Sequence, residues 1–321
     1  MKLLVRSFLA AFVLLGAYHL WLKAMPGAVA VPQGINQDNV IRMQEFIYTR
    51  AGECPNIILG SSLAAKLRPQ VLPPNVYNLA LRGQSVFEGF ELLQRTQRIP
   101  KFIFLEINVL DRPPDPQTIE ALFSPALHPL RGWYPGLQAR HQPLNEALAA
   151  GLVALAWLKP AAAARIQLKL GVGGPTPGAA LPADDPTFRP ASATVVAAAH
   201  AQYDELPEQP VFERNLALLR QYVRYFTVRG TRVVFFEMPV DEYASQGAKM
   251  HYIRQQLAAN YPANQLLYLP RPDCTIYRTT DGMHLTDPSA WRYSAVLARE
   301  ISTLLPAPGT AAVPAASYQP R

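Results

Sequence analysis

The sequence predicts an α/β protein, a three-layer sandwich around a central parallel sheet of about five strands, preceded by an N-terminal membrane helix. Three observations support this prediction. Short apolar runs recur along the chain, amphipathic segments separate them, and a longer apolar run lies close to the N-terminus. Strands that alternate with helices at such a spacing are typical of parallel sheets whose two faces are covered.

The N-terminal segment combines a basic start with an apolar stretch. Lys2 and Arg6 precede residues 8–22, which are interrupted only by His19. A stretch of roughly 20 apolar residues spans a bilayer, and positive charges before it keep that end in the cytoplasm. We therefore predict a signal anchor or transmembrane helix over residues 1–24. The chain would be single-pass in the cytoplasmic membrane, with the remainder in the periplasm or at the cell surface.

Residues 25–54 link this segment to the rest of the chain. Ala28, Val29 and Ala30 have the small side chains of a signal cleavage site, so the sequence leaves removal of the segment open. Apolar residues recur at a helical spacing over residues 37–50. This pattern predicts a connector helix that leads to the folded domain.

Residues 55–305 form the predicted α/β domain. Strands are predicted at residues 56–59, 76–81, 101–108, 232–236 and 266–269, and the main helices at 85–98, 211–228, 243–261 and 287–304. The 31 prolines concentrate in residues 113–210 and in the tail. We therefore predict a loop-rich insertion at 113–210, with one packed or interfacial helix at 144–158, and a disordered tail at 306–321.

Composition limits the partners and cofactors. The formal charge is +7, but Lys and Arg are scattered without a run, which argues against nucleic-acid binding and leaves an anionic surface or glycan open. Cys54 and Cys274 either pair in an oxidising compartment or are two buried thiols. No metal or cofactor is predicted, because metal-ligand spacing is missing at His128, His141, His200 and His251.

Two motifs at opposite ends of the predicted domain carry the candidate chemistry. Gly60, Ser61 and Ser62 end the first predicted strand, at a turn that exposes a side chain at the carboxyl edge of a parallel sheet. Asp281 lies three residues before His284, a spacing that lets a carboxylate orient an imidazole towards a serine. Each motif also has a simpler interpretation, a helix cap for the serines and a capped surface loop for the aspartate.

Together, in this order, the motifs resemble the SGNH hydrolase superfamily, also called GDSL-like. Its nucleophile lies in a Gly-Asp-Ser-like first block, and Asp-x-x-His forms its last block. The resemblance covers residues 55–305 apart from the insertion, and it implies a flavodoxin-like SGNH fold with Ser62, Asp281 and His284 as the catalytic triad. Ser61 stands where the family usually has aspartate. This Gly-Ser-Ser form is similar to the membrane-anchored branch that includes DltD-like and alginate O-acetylation-like proteins.

The family's two middle blocks supply the oxyanion hole. Gly83, within residues 78–85, matches the second block in position, so the resemblance implies that its backbone N–H is a donor; the alternative is a glycine that ends a strand. Asn108 takes the position of the third-block asparagine, although this chain lacks the Gly-x-Asn-Asp setting. Three arginines flank the blocks and would either meet an anionic substrate or be solvated, namely Arg82, Arg112 and Arg278.

The resemblance implies an extracytoplasmic serine acyl-transfer enzyme. It would be an O-acyltransferase that acetylates a cell-surface polysaccharide or other acceptor through an acyl ester on Ser62, with a membrane-bound O-acyltransferase as a potential partner. Two alternatives stay open. An SGNH-type esterase or deacetylase would release the acyl group to water through the same triad. A non-catalytic subunit of a surface-polymer assembly is favoured by the missing third block and the long insertion.

Overall fold

The computed structural model describes residues 1–24, 34–50, 53–159, 191–263 and 265–305. The candidate cleavage site at residues 28–30 and the predicted tail lie outside these described residues. The chain divides into two compact units. The helical unit comprises Met1–Thr49 and Glu120–Gly174, and the sheet unit comprises Arg50–Ile119 and Pro175–Arg321.

A five-stranded parallel sheet forms the centre of the sheet unit. Its strands are β1 (Asn56–Leu59), β2 (Val76–Asn78), β3 (Phe102–Glu106), β4 (Arg232–Phe236) and β5 (Leu267–Tyr268). Their order is β2-β1-β3-β4-β5, and every neighbouring pair is parallel. Flavodoxin-like doubly wound folds have this strand order. The predicted α/β class with a parallel sheet is therefore confirmed.

The two strands β1 and β3 are neighbours in the sheet and are apolar on both faces. Every residue of both is buried, and Leu59 lies opposite Leu105 in the register. Strands that are covered on both faces show such continuous apolar runs. The polar exceptions are Asn56, at the start of β1, and Glu106, at the end of β3. Asn56 donates a side-chain hydrogen bond to the carbonyl of Asn75, 3.1 Å away.

Helices occur in both units. In the described residues the α-helices are α1 (Lys2–Ala24), α2 (Ile35–Glu45), α3 (Phe87–Arg95), α4 (Pro116–Glu120), α5 (Leu127–Trp133), α6 (Pro143–Leu158), α7 (Ala193–Asp204), α8 (Gln209–Thr227), α9 (Glu242–Gln246), α10 (Ala248–Asn260) and α11 (Asp287–Leu304). The described parts of the proline-rich insertion thus hold more helix than the single one predicted. Prolines begin α4 and α6 and lie in the first turn of α8. A proline there loses no hydrogen bond, because the first helical N–H groups have no partner within the helix.

The helix predicted at 243–261 is two helices, α9 and α10, that meet at Gly247. A Cβ atom on Gly247 would lie 2.6 Å from the carbonyl oxygen of Tyr203, so only glycine allows this approach of α7. Helical periodicity alone did not predict the break, because the close contact comes from a segment more than forty residues earlier in the chain.

The cap of the last helix lies one residue before the predicted cap. The sequence Asp287-Pro288 predicts aspartate as the cap, followed by a first-turn proline. The structure instead has Thr286 as the cap, with its hydroxyl accepting a hydrogen bond from the backbone N–H of Ser289 at 3.3 Å. Asp287 is the first helical residue and pairs with Arg68. The Asp287 carboxylate is still stabilising there, because it lies at the positive end of the helix dipole and beside the Arg68 guanidinium.

The helical unit contains the N-terminal helix. Within the described ranges, α1 is the helix that is long enough and apolar enough to cross a membrane. The predicted connector helix is present as α2, followed by a π-helical turn at Phe46–Arg50. The side chain of Gln44 accepts a hydrogen bond from the backbone N–H of Ala139 at 2.6 Å. This bond joins α2 to the part of the insertion that belongs to the same unit.

The two cysteines are buried thiols and not a disulfide. The thiol of Cys54 lies 3.9 Å from the carbonyl oxygen of Pro74, and that of Cys274 lies 3.8 Å from the carbonyl oxygen of Pro272. Of the two alternatives that the sequence leaves open, the structure therefore has the second.

Candidate active site

Ser62 lies at the carboxyl edge of the sheet, just after β1. The chain runs from β1 to β2 on one side of the sheet and from β3 to β4 on the other, so the connections that follow the neighbouring strands β1 and β3 leave in opposite directions. Ligands of open α/β sheets bind outside the carboxyl ends of the strands at such a switch point. The strand order therefore places the candidate nucleophile where this fold class forms its binding sites.

The structure brings the three predicted triad residues together. Ser62 Oγ lies 2.9 Å from His284 Nε2, and His284 Nδ1 lies 2.7 Å from Asp281 Oδ2. The second carboxylate oxygen of Asp281 accepts the backbone N–H groups of His284 at 2.7 Å and Met283 at 3.0 Å. These bonds hold the carboxylate in the plane where it meets one ring nitrogen while the other faces the serine.

The turn between Asp281 and His284 depends on Gly282. Gly282 has φ +88°, a left-handed backbone conformation that glycine adopts without a steric penalty. Its carbonyl accepts the backbone N–H of Asp241 at 3.0 Å, which ties the turn to the start of α9. The Asp-x-x-His spacing thus lets Asp281 contact His284 in this chain because the residue after Asp281 is glycine.

The pKa of Asp281 reflects these contacts. Burial raises it, but hydrogen bonds from the backbone and ring of His284 and from the backbone of Met283 outweigh burial, so the net pKa lies below the ordinary value of 3.8. Asp281 is therefore ionised at neutral pH. An ionised carboxylate stabilises the imidazolium that forms when His284 takes a proton.

The depressed pKa predicts how stability depends on pH. Ionised Asp281 stabilises the fold above its ordinary pKa, and this contribution is lost as the pH falls through the lower folded value. We expect Asp281→Asn to be less stable than wild type at neutral pH, and the difference to shrink below about pH 4. Thermal unfolding of the detergent-solubilised chain across this range measures it. A difference that does not change with pH would contradict the role assigned to the Asp281 carboxylate.

Glu106 holds the turn that carries Ser62. This carboxylate is completely buried and accepts the backbone N–H groups of Ser61 at 2.8 Å and Ala64 at 3.2 Å. The hydroxyl of Ser61 also donates to it, at 2.9 Å. A Cβ on Gly60 would lie 2.5 Å from Glu106, so glycine is needed for this approach. Ser61 is therefore turned into the protein, and Ser62 is the serine that faces His284.

This role of Glu106 was not predicted from the sequence, although a signal was present. A charged residue ends an otherwise apolar strand, and a buried charge needs partners. Burial raises the pKa of Glu106, against the opposing effect of the hydrogen bonds from Ser61 and Ala64 and of the Arg112 charge. Motif spacing could not reveal the carboxylate, because its partners lie about forty residues away in the chain.

Replacing Glu106 with glutamine is expected to lower both stability and turnover. Glutamine keeps one acceptor oxygen for the backbone N–H groups, but its amide N–H₂ group would replace the oxygen that accepts the Ser61 hydroxyl proton, at a cost of about 2 kcal/mol. Thermal unfolding and ester turnover per folded molecule measure the two effects. Glu88→Gln is the matched control, because Glu88 is also buried and accepts bonds from Ser85 and Asp115. Equal losses of turnover in both variants would contradict a specific role of Glu106.

Asn108 connects the ends of two neighbouring strands. Its side-chain amide donates to the carbonyl of Met238 at 2.9 Å and accepts the backbone N–H of Met238 at 2.7 Å. Asn108 also lines the same cavity as Ser62. One amide N–H is thus committed to Met238, and the predicted oxyanion role would use the other. That role stays a prediction.

Gly83 lies in the turn after β2. It has φ +75° and is exposed. Just before it, the backbone N–H of Leu81 donates to the carbonyl of Gly60 at 2.9 Å, which keeps this segment beside the end of β1. Gly83 therefore follows a segment that lies beside the turn of Ser62. The assignment of its N–H to the oxyanion hole also stays a prediction.

An open cavity of about 230 Å³ lies beside Ser62. Its lining residues are Ser62, Leu63, Asn108, Val109, Asp111, Arg112, Pro113, Gln202, Tyr203, Lys249 and Met283. Of the three predicted substrate arginines, Arg112 lines this cavity. Arg82 and Arg278 are exposed and do not line it in the described part of the chain. The cavity is smaller than the roughly 300–1,000 Å³ that drug-sized ligands occupy.

An ion pair in the cavity was not predicted from the sequence. Lys249 Nζ lies 2.8 Å from Asp111 Oδ2 and 5.5 Å from the centre of the Tyr203 ring. Lys249 is on α10, Asp111 follows β3 and Tyr203 is on α7, so no local motif contains them. Together with Arg112, the Asp111–Lys249 pair gives the cavity wall a net formal charge of one positive unit. The Arg112 guanidinium is held by the carbonyl of Gln84 at 2.9 Å.

Within the described ranges, no group of three or more His, Cys, Asp or Glu side chains is arranged as a metal site. Three of the histidines outside the triad have other partners. His128 bonds to Tyr48 at 2.9 Å, His141 to Glu146 at 2.9 Å and His200 to Asp241 at 3.1 Å.

No protein-family model, curated protein or solved structure matches the chain. The resemblance to the SGNH superfamily therefore stays a prediction that rests on the motif residues. Any function must be argued from the geometry of this chain.

Proposed function

We propose that this chain is an extracytoplasmic serine acyl-transfer enzyme that carries the acyl group as an ester on Ser62. The observation that carries the proposal is the continuous hydrogen-bonded line from Ser62 through His284 to Asp281, with distances of 2.9 and 2.7 Å. A nucleophile within hydrogen-bond reach of a base that is oriented by a third group is the geometric signature of nucleophilic catalysis.

The reaction has two halves. In the first, Ser62 Oγ gives its proton to His284 Nε2 and bonds to the carbonyl carbon of the donor. The tetrahedral intermediate collapses, the leaving group takes the proton from His284, and the acyl group remains on Ser62. In the second, an acceptor hydroxyl gives its proton to His284 and attacks the ester, and Ser62 regains its proton. Asp281 keeps the ring oriented in both halves.

The cavity supports a short acyl group and a polar acceptor. Its volume of about 230 Å³ suits an acetyl group better than a long acyl chain. Arg112, Gln202 and the Asp111–Lys249 pair offer hydrogen bonds to hydroxyl or carboxylate groups of a sugar. We therefore propose acetylation of a cell-surface polysaccharide. A membrane-bound O-acyltransferase as acyl donor is carried over from the family resemblance.

The proposed location rests on α1. This helix is long and apolar enough to cross a membrane. Lys2 and Arg6 precede its apolar part, and positive charges favour the cytoplasmic side. The sheet unit would then lie outside the cytoplasm.

Hydrolysis is a second candidate function, favoured by the accessibility of the site. The side chains of His284 and Asp281 are 24% and 30% exposed, so water reaches the acyl ester on Ser62. Incubation with an aryl acetate and an acetyl-free oligosaccharide separates the two functions. Transfer predicts acetylated oligosaccharide, whereas rapid acetate release without any sugar product would establish an esterase or deacetylase.

A fluorophosphonate probe tests whether the triad is active at all. We expect the folded wild-type chain to form an adduct on Ser62, located by peptide mass spectrometry, because His284 activates the hydroxyl. His284→Ala should be labelled far more slowly and Ser62→Ala not at that position. Ser302→Ala, at the end of α11, should be labelled like wild type. A folded wild-type chain without an adduct on Ser62 would support the non-catalytic subunit instead.

A further inference from the structure

The helical unit exposes large apolar side chains. Trp133 is 91% exposed, Trp157 is 87% exposed and Leu158 is 80% exposed. By contrast Trp291, in the sheet unit, is 6% exposed. Single exposed apolar residues are common on soluble proteins, but two nearly bare tryptophans on two helices of one unit indicate a surface with an apolar partner.

The outer side of helix α6 is poorly suited to contact with water. Its 16 residues include one charged side chain, Glu146, which is buried and bonded to His141 at 2.9 Å. The exposed positions that the structure describes in α6 are Ala147, Gly151, Ala154, Trp157 and Leu158. A helix at a water surface normally presents charged or polar residues on its outer side. The described outer side of α6 has none.

The insertion part of this unit is attached to the second half of α1. The hydroxyl of Tyr134 donates to the carbonyl of Leu15 at 2.7 Å. The hydroxyl of Tyr18 donates to the carbonyl of His141. The ring of His19 stacks on that of Tyr134, with 5.4 Å between the centroids. Tyr18 and His19, in the second half of α1, therefore both contact residues of the insertion.

These contacts fix the depth of the insertion if α1 crosses a membrane. Leu15 lies nine residues beyond Arg6, the last charge at the cytoplasmic end, and His19 thirteen, which places them about 13 and 20 Å further along the helix. The hydrocarbon core of a bilayer is about 30 Å thick. Leu15 and His19 then lie near the middle and in the outer half of the core, and Tyr134 and His141 lie beside them.

The length of the uncharged part of α1 also favours contact between the insertion and lipid. Between Arg6 and Lys23, the sixteen residues 7–22 of α1 include no Lys, Arg, Asp or Glu. The helix as a whole is long enough to cross a membrane, but this uncharged stretch is shorter than the roughly 20 apolar residues of a usual span. Apolar surface from the insertion, placed around the outer end of α1, would extend the lipid-facing part of the protein. α6 by itself is about 24 Å long and too short to span.

We propose that α5 and α6 lie in the outer leaflet of the bilayer that α1 crosses, with Trp133 and Trp157 exposed to lipid. The occupant of this surface is lipid. Tryptophan is enriched at membrane interfaces because its ring is apolar and its N–H is polar. Lys159, directly after α6, is long enough to reach the headgroups from there. The proposal depends on α1 spanning the membrane and is independent of the triad.

Lipid quenching of tryptophan fluorescence tests the proposal on the full chain in nanodiscs that contain one protein each. Three variants each keep one tryptophan, Trp133, Trp157 or Trp291, and the remaining tryptophans, including Trp21, are changed to phenylalanine. With phospholipids brominated on the acyl chain, we expect Trp133 and Trp157 to be quenched several-fold more than Trp291. The Trp133→Phe and Trp157→Phe single variants should each lose part of the quenchable emission of wild type.

Other outcomes would overturn the proposal. Red-shifted and unquenched emission from Trp133 and Trp157 would mean that both face water. Blue-shifted but unquenched emission would mean that protein, either this chain or a second copy, covers them. Circular dichroism spectra equal to wild type show that a variant is folded, and the single variants keep the test decisive if a triple substitution unfolds the chain. Because the readout is not catalysis, its failure leaves the proposed acyl transfer untouched.

Discussion

Replacing Ser62 with alanine is expected to lower the turnover number for an aryl acetate by about 10⁶-fold, the size of effect known when a serine nucleophile is removed. The substitution removes the only atom of the triad that bonds to the acyl carbon. His284, Asp281 and the cavity would remain, so residual catalysis would come from binding and from the oxyanion donors. Release of the aryl alcohol measures the turnover, and thermal unfolding shows whether the fold is kept.

Ser61→Ala is the matched control for this prediction. The Ser61 hydroxyl donates to Glu106 at 2.9 Å and accepts the backbone N–H of Leu63 at 3.2 Å, so it positions the turn without facing His284. We expect its loss to lower turnover by about 10²-fold or less, through misplacement of Ser62. Equal losses in the two variants, or an active Ser62→Ala, would refute the assignment of Ser62 as nucleophile.

Replacing Asp281 with asparagine is expected to lower the turnover number by about 10⁴-fold with little change in KM. An asparagine at this position has no charge to stabilise the imidazolium of His284. Its amide can also favour the tautomer whose Nε2 carries the proton, and that nitrogen could no longer accept the proton of Ser62. Steady-state kinetics with an aryl acetate measure both parameters.

The sheet unit offers a close control for this substitution. Asp241 pairs with His200 at 3.1 Å, as Asp281 pairs with His284, but the Asp241–His200 pair does not include Ser62. Asn at position 241 can still accept the backbone N–H of Tyr243 that Asp241 accepts at 2.9 Å. We expect Asp241→Asn to retain turnover close to wild type. A loss below about tenfold in Asp281→Asn, or equal losses in both variants, would show that Asp281 does not orient a catalytic base.

Apolar patterning predicted the sheet because the strands are buried on both faces. The strands β1 and β4 begin and end where predicted, whereas β2 and β3 are shorter than the predicted runs at 76–81 and 101–108. Apolar residues continue past the ladder in both cases, because the chain remains buried as it leaves the sheet edge. Apolar periodicity indicates which residues are buried, whereas hydrogen bonding between strands determines where each strand ends.

Proline content underestimates the helix in the insertion. A high share of proline predicts loops, yet three of the described helices that begin within residues 113–210 have proline in the first turn. Composition over a window cannot tell a first-turn proline from a helix-breaking one, because the difference lies in the hydrogen bonding of the neighbouring residues.

The candidate site also combines residues that the sequence could suggest with a contact that only the structure shows. Local spacing suggested Asp281 and His284, since three residues and a glycine are enough for one side chain to meet the next. The turn after a buried strand suggested a serine at the sheet edge, and the resemblance to the SGNH superfamily selected Ser62. Local spacing cannot show that the serine and the histidine are 2.9 Å apart, because 222 residues separate them.

By itself, the sequence determined the α/β class, the apolar N-terminal helix and the Asp281–His284 pair. Each of these depends on short-range information, namely apolar periodicity or the spacing within one turn. Only the tertiary structure decided that Ser62 and not Ser61 faces His284, that Glu106 holds the turn, and that the cysteines are thiols. It also decided how Lys249 and Asp111 share a cavity wall. These features depend on contacts between distant segments, which form only when the whole core packs.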